Sequence, residues 1–204
     1  MISYIAFEGI EGAGKSTVIN AVDRYLRDRG VVVTTVREPG ATRVGEQIRS
    51  ILLDQDVELD AWAEALLFAA ARAHLVREVV QPAMERGEIV LSDRSVFSSL
   101  AYQGGGRQLG VDRVRMVNAA GLAGIWPHRV VLLRVDAKTG LARQDIADRI
   151  GSEGIAFQAR VAQTFDALVE SDPERFAVID ANQKSDAVVQ AVLVEIERWL
   201  WTPS

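Results

Sequence analysis

The residue types needed to hold a polyphosphate fall within one short stretch, Phe7-Glu8-Gly9-Ile10-Glu11-Gly12-Ala13-Gly14-Lys15-Ser16-Thr17. Gly9, Gly14, Lys15 and Ser16 fill the fixed places of the pattern G-x-x-x-x-G-K-[ST]. Glycines let successive backbone N–H groups turn inward, and a helix N-terminus behind them adds partial positive charge. Lys15 would reach the β- and γ-phosphates, and Ser16 would offer its hydroxyl to Mg²⁺. The pattern has meaning only between a strand and a helix. Tyr4-Ile5-Ala6-Phe7 is an apolar run ending at the loop, and Val18, Ile19, Val22, Tyr25 and Leu26 recur at helical spacing behind it.

Further residues could complete a site. Asp93 follows an apolar strand, the setting of an acid that holds Mg²⁺; its other reading is a helix N-cap. Arg94 beside it suits a phosphate contact. Phe68 and Arg72 stand at i and i+4 and share a helix face. They could stack on and hydrogen-bond a planar base, or form a core Phe with a snorkelling Arg; spacing alone leaves both open. Tyr102-Gln103 precede Gly104-Gly105-Gly106, which reads as a mobile loop, and Gln103 offers a donor and an acceptor. Arg143 and Arg149 lie on a polar stretch that fits either an arginine-bearing lid or a solvated helix. His74 and His128 lack metal-like spacing and are expected to be structural or exposed. Asn182-Gln183-Lys184-Ser185-Asp186 misses the guanine-reading N-K-x-D spacing by one residue, which argues against a GTPase.

The elements that must position these residues alternate along the chain. Strands are predicted at Val31–Val36, Ile89–Leu91, Val130–Leu133 and Ala177–Ile179, with the first at Tyr4–Phe7. Helices are predicted around Ile48–Leu52, over Ala61–Met84 with Pro82 kinking or ending it, around Ser98–Tyr102, over Val111–Leu122 and over Ser185–Leu200. Near-continuous apolar strands between helices predict one doubly wound α/β domain over 1–204, a five-stranded parallel sheet with helices on both faces. Ligands of such sheets lie beyond the carboxyl ends of the strands, where Glu8–Ser16, Arg37–Gly40, Ser92–Arg94, Asp136 and Asp180–Gln183 fall. Composition agrees: of 204 residues, 49% are apolar and 25% charged, with net charge −5 and no cysteine. That balance argues against a nucleic-acid partner and excludes disulfides and thiolate metal sites. No apolar run suggests a membrane span, and the first strand follows Met1 too closely for a signal peptide, so a cytoplasmic protein is expected.

Taken together these blocks resemble the thymidylate kinase (dTMP kinase) family through nearly the whole chain. The later blocks carry the resemblance: Arg37-Glu38-Pro39-Gly40, Leu67-Phe68-Ala69-Ala70, Asp93-Arg94 and Ser98-Ser99-Leu100-Ala101-Tyr102-Gln103-Gly104. The resemblance implies a P-loop NTPase fold with a short lid at about 140–153, and the reaction ATP + dTMP → ADP + dTDP with Mg²⁺. It implies that Gly9, Ile10, Glu11, Gly12, Ala13, Gly14, Lys15, Ser16 and Thr17 hold ATP, with Ser16 and Asp93 on the metal. Phe68 would stack on thymine while Arg72, Ser99 and Gln103 read its polar edge. Arg49 and Arg94 would hold the monophosphate, Glu38 and Pro39 would line the pocket, Tyr102 would crowd the sugar 2′ position, and Glu11 would lie near the sugar. Gly12 stands where some members carry a catalytic arginine, so the chain resembles the lid-arginine, bacterial-like type, with Arg149 first and Arg143 second. A homodimer is implied as well. Ser95 replaces the family's usual tyrosine, His128 its usual aspartate, and the stretch between Arg143 and Phe157 is short. The rival readings are a P-loop ATP-binding switch, or a kinase for another monophosphate or a deoxynucleoside.

Overall fold

The computed structural model describes residues 2–143 and 149–201. Five parallel strands form its sheet: β1 (Tyr4–Glu8), β2 (Val33–Arg37), β3 (Ile89–Asp93), β4 (Arg129–Arg134) and β5 (Phe176–Asp180), in the spatial order β2-β3-β1-β4-β5. The order reverses at β1, so crevices open on both sides of the residue that begins the glycine-rich loop. Register brings Phe7 beside Asp93, and Asp93 beside Arg37, so three strand ends finish level with one another.

Alternate strand residues point to opposite faces. Tyr4, Val90 and Val36 pack against Leu75, Val80 and Ala83. Ile5, Phe7 and Leu91 belong to the larger cluster with Val18, Val22 and Leu26 of α1 (Lys15–Arg27). Fully burying side chains of that size stabilises by about 1.5–3 kcal/mol each, which is what anchors α1 and the loop at its N-terminus. α2 (Arg43–Leu53) starts at Thr42, whose hydroxyl accepts from Gly45 N–H at 2.9 Å.

The helix predicted over 61–84 is one rod with a widened turn: α3 (Ala61–Leu75), a π-helical turn Val76–Val80, and α4 (Gln81–Glu85). Pro82 neither ends nor breaks it. The wider turn just before the proline, closed by Gln81 N–H donating to Val76 O, absorbs the loss of the hydrogen bond that the proline ring nitrogen cannot donate. α5 (Val96–Ser99) runs into a second π-helical stretch, Leu100–Gly106. The three glycines are therefore not a mobile loop. A Cβ on Gly105 would lie 1.9 Å from Thr164 Oγ1, and one on Gly106 would lie 2.7 Å from the Phe157 ring. Gly105 and Gly106 are glycines because α8 (Gly154–Ser171) packs directly on their backbone, while a Cβ on Gly104 would lie 3.0 Å from Val111 Cα. No helix is predicted from sequence over 154–171, yet Phe157, Val161, Phe165 and Leu168 form its buried stripe at spacings of 4, 4 and 3. α6 (Val111–Leu122), α7 (Ala137–Ala142) and α9 (Ser185–Trp201) complete the chain. Among the described residues no helix is long and apolar enough to cross a membrane.

Candidate active site

The loop after β1 is held from below. Glu8 is fully buried and accepts from Ser95 Oγ at 2.7 Å, Ser98 N–H at 3.2 Å and Ser98 Oγ at 2.5 Å. Burial pushes its carboxyl above the ordinary range, against the pull of those donors. Ser95 thus has two polar roles, since it also caps α5. Lys15 is buried, and its ammonium donates to the carbonyls of Gly9 and Ile10, each at 3.3 Å. Burial and then the nearby Arg94 hold its pKa below the usual lysine value. Gly12 has φ +72°, and a Cβ there would lie 2.0 Å from the carbonyl oxygen of Gly140 in α7. A Cβ on Gly140 would in turn lie 2.5 Å from Glu11 O. No side chain fits between loop and α7.

Arg94 follows β3 with φ +70°, an uncommon conformation for a non-glycine. Its guanidinium donates to Gly9 O and Ser98 Oγ, both at 3.2 Å, pairs with Glu11, and lies 5.0 Å from the Tyr102 ring centroid. Burial works to raise the Glu11 carboxyl, but Arg94, Lys15 and Arg49 together hold it below the ordinary range. Arg49 donates to Pro39 O at 2.9 Å, and the Glu38–Pro39 bond is cis.

Arg72 is 2% exposed and makes four contacts: Glu38 at 2.6 Å, Ser99 Oγ at 3.0 Å, Ser95 O at 3.0 Å, and Asn118. It is not a snorkelling surface arginine. Burial lifts the Glu38 carboxyl to about 7, even against the attraction of Arg72. Glu38 Oε1 and the Tyr102 hydroxyl are buried without a hydrogen-bond partner. Both residues line the central cavity, where a polar ligand can supply the missing partners.

That cavity measures about 1110 Å³. One end is formed by Glu11, Gly12, Ala13, Gly14, Lys15, Ser16 and Thr17; Gly9 and Ile10 stand behind, contributing carbonyls. The other end brings together Glu38, Pro39, Arg49, Phe68, Arg72 and Ser99, with Tyr102 and Gln103 beside them and Arg94 between the two ends. Ser16 and Asp93 meet at its wall and also border a second, smaller cavity. A hydroxyl and a carboxylate beside a phosphate loop are the hard oxygen donors that suit Mg²⁺, which takes few protein ligands and keeps the rest for phosphates and water. Among the described residues no cluster of three or more acids or histidines offers an all-protein metal cage.

Residues 144–148 of the predicted lid lie outside the described ones. Of its two arginines, Arg143 lines the cavity and donates to Ala181 O at 2.9 Å. Arg149 instead donates to Leu52 O at 2.9 Å and to Glu64 Oε2 at 2.9 Å. Glu64 was not predicted. It is fully buried, and also receives Gln103 Nε2 at 2.9 Å and Arg107 at 3.0 and 3.2 Å; Arg107 pairs in turn with Glu153. The sequence carried a signal for it: Glu64, Phe68 and Arg72 recur every four residues, an acid on the same face of an apolar helix as Phe68 and Arg72. His128, half-buried, accepts from the N–H groups of Ser3 and Tyr4 at 3.2 Å each, a structural role as predicted.

The arrangement can hold a polyphosphate at one end, a planar base with an anionic group at the other, and place cations where the two meet. Similarity to known proteins points the same way. The family model described as thymidylate kinase matches residues 7–192. A thymidylate kinase of Deinococcus radiodurans is 43% identical over 201 residues, covering 97% of this chain and 94% of that one. One of Halalkalibacterium halodurans is 43% identical over 192 residues, covering 91% of each. The crystal structure of thymidylate kinase from Ehrlichia chaffeensis superposes with TM-score 0.81 at 27% identity, covering 95% of this chain and 98% of that one.

Proposed function

The chain belongs to the thymidylate kinase family, and from that premise we propose that it transfers the γ-phosphoryl group of ATP to dTMP, giving ADP and dTDP. The observation that carries this reading is the single cavity with a phosphate loop at one end, Phe68, Arg72 and Gln103 at the other, and Arg94 between them. A switch protein needs only the first of these.

A phosphate monoester has its second pKa near 6, so the acceptor is mostly dianionic at neutral pH and needs no strong general base. An oxygen of the acceptor phosphate forms a bond to the γ-phosphorus while the bridge to the β-phosphate breaks, and ADP leaves with that electron pair. Catalysis then rests on alignment and on neutralising the charge that develops. Lys15 exchanges the Gly9 and Ile10 carbonyls for β- and γ-phosphate oxygens. Arg94 and Arg49 hold the acceptor phosphate, and Glu11 orients Arg94. Phe68 stacks on the base, Arg72, Ser99 and Gln103 read its polar edge, and Tyr102, which lines the same cavity, crowds the sugar 2′ position. Ser16 and Asp93 would hold Mg²⁺, which when bound would supply charge neutralisation to the transferring phosphoryl group. Arg143 already faces the cavity and supplies lid charge there; Arg149 must leave Glu64 to do so.

The chain acts as one domain with a lid at about 140–153, in the cytoplasm and as a homodimer. Leu66 of α3, Met116 of α6 and Ile51 of α2 are exposed on helices that pack side by side, which supports a self-association face. The test of the activity is a panel of nucleosides and monophosphates with ATP and Mg²⁺, followed for diphosphate product. Turnover of dTMP above the others is expected. Slow ATPase alone, or turnover of a different acceptor, overturns the reading.

A further inference from the structure

Glu64 touches nothing in the central cavity, yet it grips a residue that lines it. Its Oε1 accepts from Gln103 Nε2 at 2.9 Å and from Arg107 Nε at 3.2 Å; its Oε2 accepts from Arg107 at 3.0 Å and Arg149 at 2.9 Å. A glutamine side chain has a donor end and an acceptor end, and free rotation would let either face a ligand. An ionised carboxylate only accepts. Paired with two guanidinium groups, Glu64 stays ionised, so Gln103 must turn its NH₂ toward Glu64. Oε1 is the end left for the cavity. We propose that Glu64 is a positioning residue that fixes the Gln103 amide with its oxygen toward the acceptor base, and so selects a pyrimidine presenting N3–H over one presenting a bare N3.

This deepens the proposed function and rests on it. Thymine and uracil carry a proton on N3; cytosine carries a lone pair there, which would meet the Gln103 oxygen repulsively. A buried polar group with a fixed orientation discriminates strongly, because the wrong partner leaves it unpaired. Phe68 stacking cannot make this distinction, since every pyrimidine has a π-face. The part of the selection made at N3 therefore comes from a carboxylate one helical turn before Phe68 and outside the cavity, beside whatever Arg72 reads at the exocyclic group.

Glu64→Gln keeps the shape but can donate to Gln103 Oε1 and release the lock. The expected result is that the ratio of kcat/KM for dTMP over dCMP falls at least tenfold, while KM for ATP stays within twofold. Glu64→Asp keeps an acceptor-only group and is expected to retain the ratio. If Glu64→Gln slows both nucleotides equally and leaves the ratio within twofold, the residue is merely structural and the proposal fails. A measurement on the unaltered protein does not depend on variant folding. In ¹⁵N-labelled enzyme the Gln103 Nε2 protons are expected to show nuclear Overhauser contacts to the Arg107 Nε proton, with and without dTMP. Contacts from those protons to the bound nucleotide overturn the proposal. Failure of the unaltered protein to turn over dTMP would instead refute the proposed activity, and the nucleotide-free spectrum would still test the lock.

Discussion

Removing Arg72 tests the base subsite and the interior chemistry together. Arg72 and Glu38 pair at 2.6 Å with side chains 2% and 3% exposed, so Arg72→Ala strands a carboxyl in the protein interior. Breaking such a pair costs about 3–5 kcal/mol. Burial already lifts Glu38 to about 7 with Arg72 present; without it the carboxyl takes up a proton near neutrality and softens the penalty. The expected loss at pH 7 is therefore at the low end, about 3 kcal/mol. The sign with pH follows. An acid whose folded pKa lies above its unfolded value binds more protons when folded, so its contribution to stability falls as pH rises from about 4.5 through the folded pKa. Losing Arg72 moves that folded pKa further up, so the deficit of the variant should grow between pH 6 and pH 8, by at most about 1.4 kcal/mol per pH unit. Adding Glu38→Gln should recover part of the loss, making the double variant less damaged than the two single losses summed. Urea denaturation at pH 6, 7 and 8 reads these differences. Calorimetry reads the ligands: a hydrogen bond from a charged group is worth about 1.5–3 kcal/mol, so dTMP should bind about 10- to 150-fold more weakly, with ATP affinity nearly unchanged. A pH-independent deficit refutes the coupling to Glu38. Equal loss of ATP and dTMP affinity refutes the base-reading role.

Other expectations follow from single contacts. Lys15→Ala should lower kcat by orders of magnitude in a dTMP assay while leaving dTMP binding within a few-fold, because Lys15 lies at the loop end of the cavity. Gly105→Ala should cost about 1–3 kcal/mol in urea denaturation, and Thr164→Ala in the same chain should recover part of it, since Thr164 Oγ1 sits 1.9 Å from the added Cβ. Burial, with Arg175 and Arg129 nearby, holds the His128 pKa below its ordinary value of 6.5, because Nδ1 must stay an acceptor for two N–H groups. Its contribution is full above pH 6.5 and is lost as pH falls below that value. The stability difference between unaltered protein and His128→Ala should therefore shrink from pH 7.5 to pH 5.5. Leu66→Lys should shift sedimentation from dimer to monomer; an unaltered protein that sediments as a monomer would remove the dimer reading.

The parallel sheet was legible because each strand is buried on both faces and so reads as an unbroken apolar run between helical patterns. The phosphate loop was legible because its chemistry is local: Gly9 to Ser16 are neighbours in the chain. The rest of the site depends on contacts distant in sequence, and there the reading thinned. Phe68 and Arg72 could be placed on one helix face, but not which face, because that depends on Glu38, Ser99 and Asn118, each from another element. The glycines at 104–106 looked like a loop because flexibility and close packing demand the same residue. Only the positions of α8 and Val111 tell them apart. The helix α8 itself was missed although its stripe is regular, since polar residues and Gly154 precede it and draw the eye to a lid. Glu64 was missed for a different reason. An acid in an apolar helix is informative only once its arginine partners, far along the chain, are known.

The backbone contact between Gly12 and Gly140 has a consequence for inheritance. A phosphate loop that carries an arginine at position 12 needs room where the α7 backbone now lies, and α7 cannot retreat without moving the chain on either side of it. Neither site can change first without loss. The residue at position 12 and the placement of α7 are thus a joint property of two separate segments, and a hybrid protein must take both from the same parent.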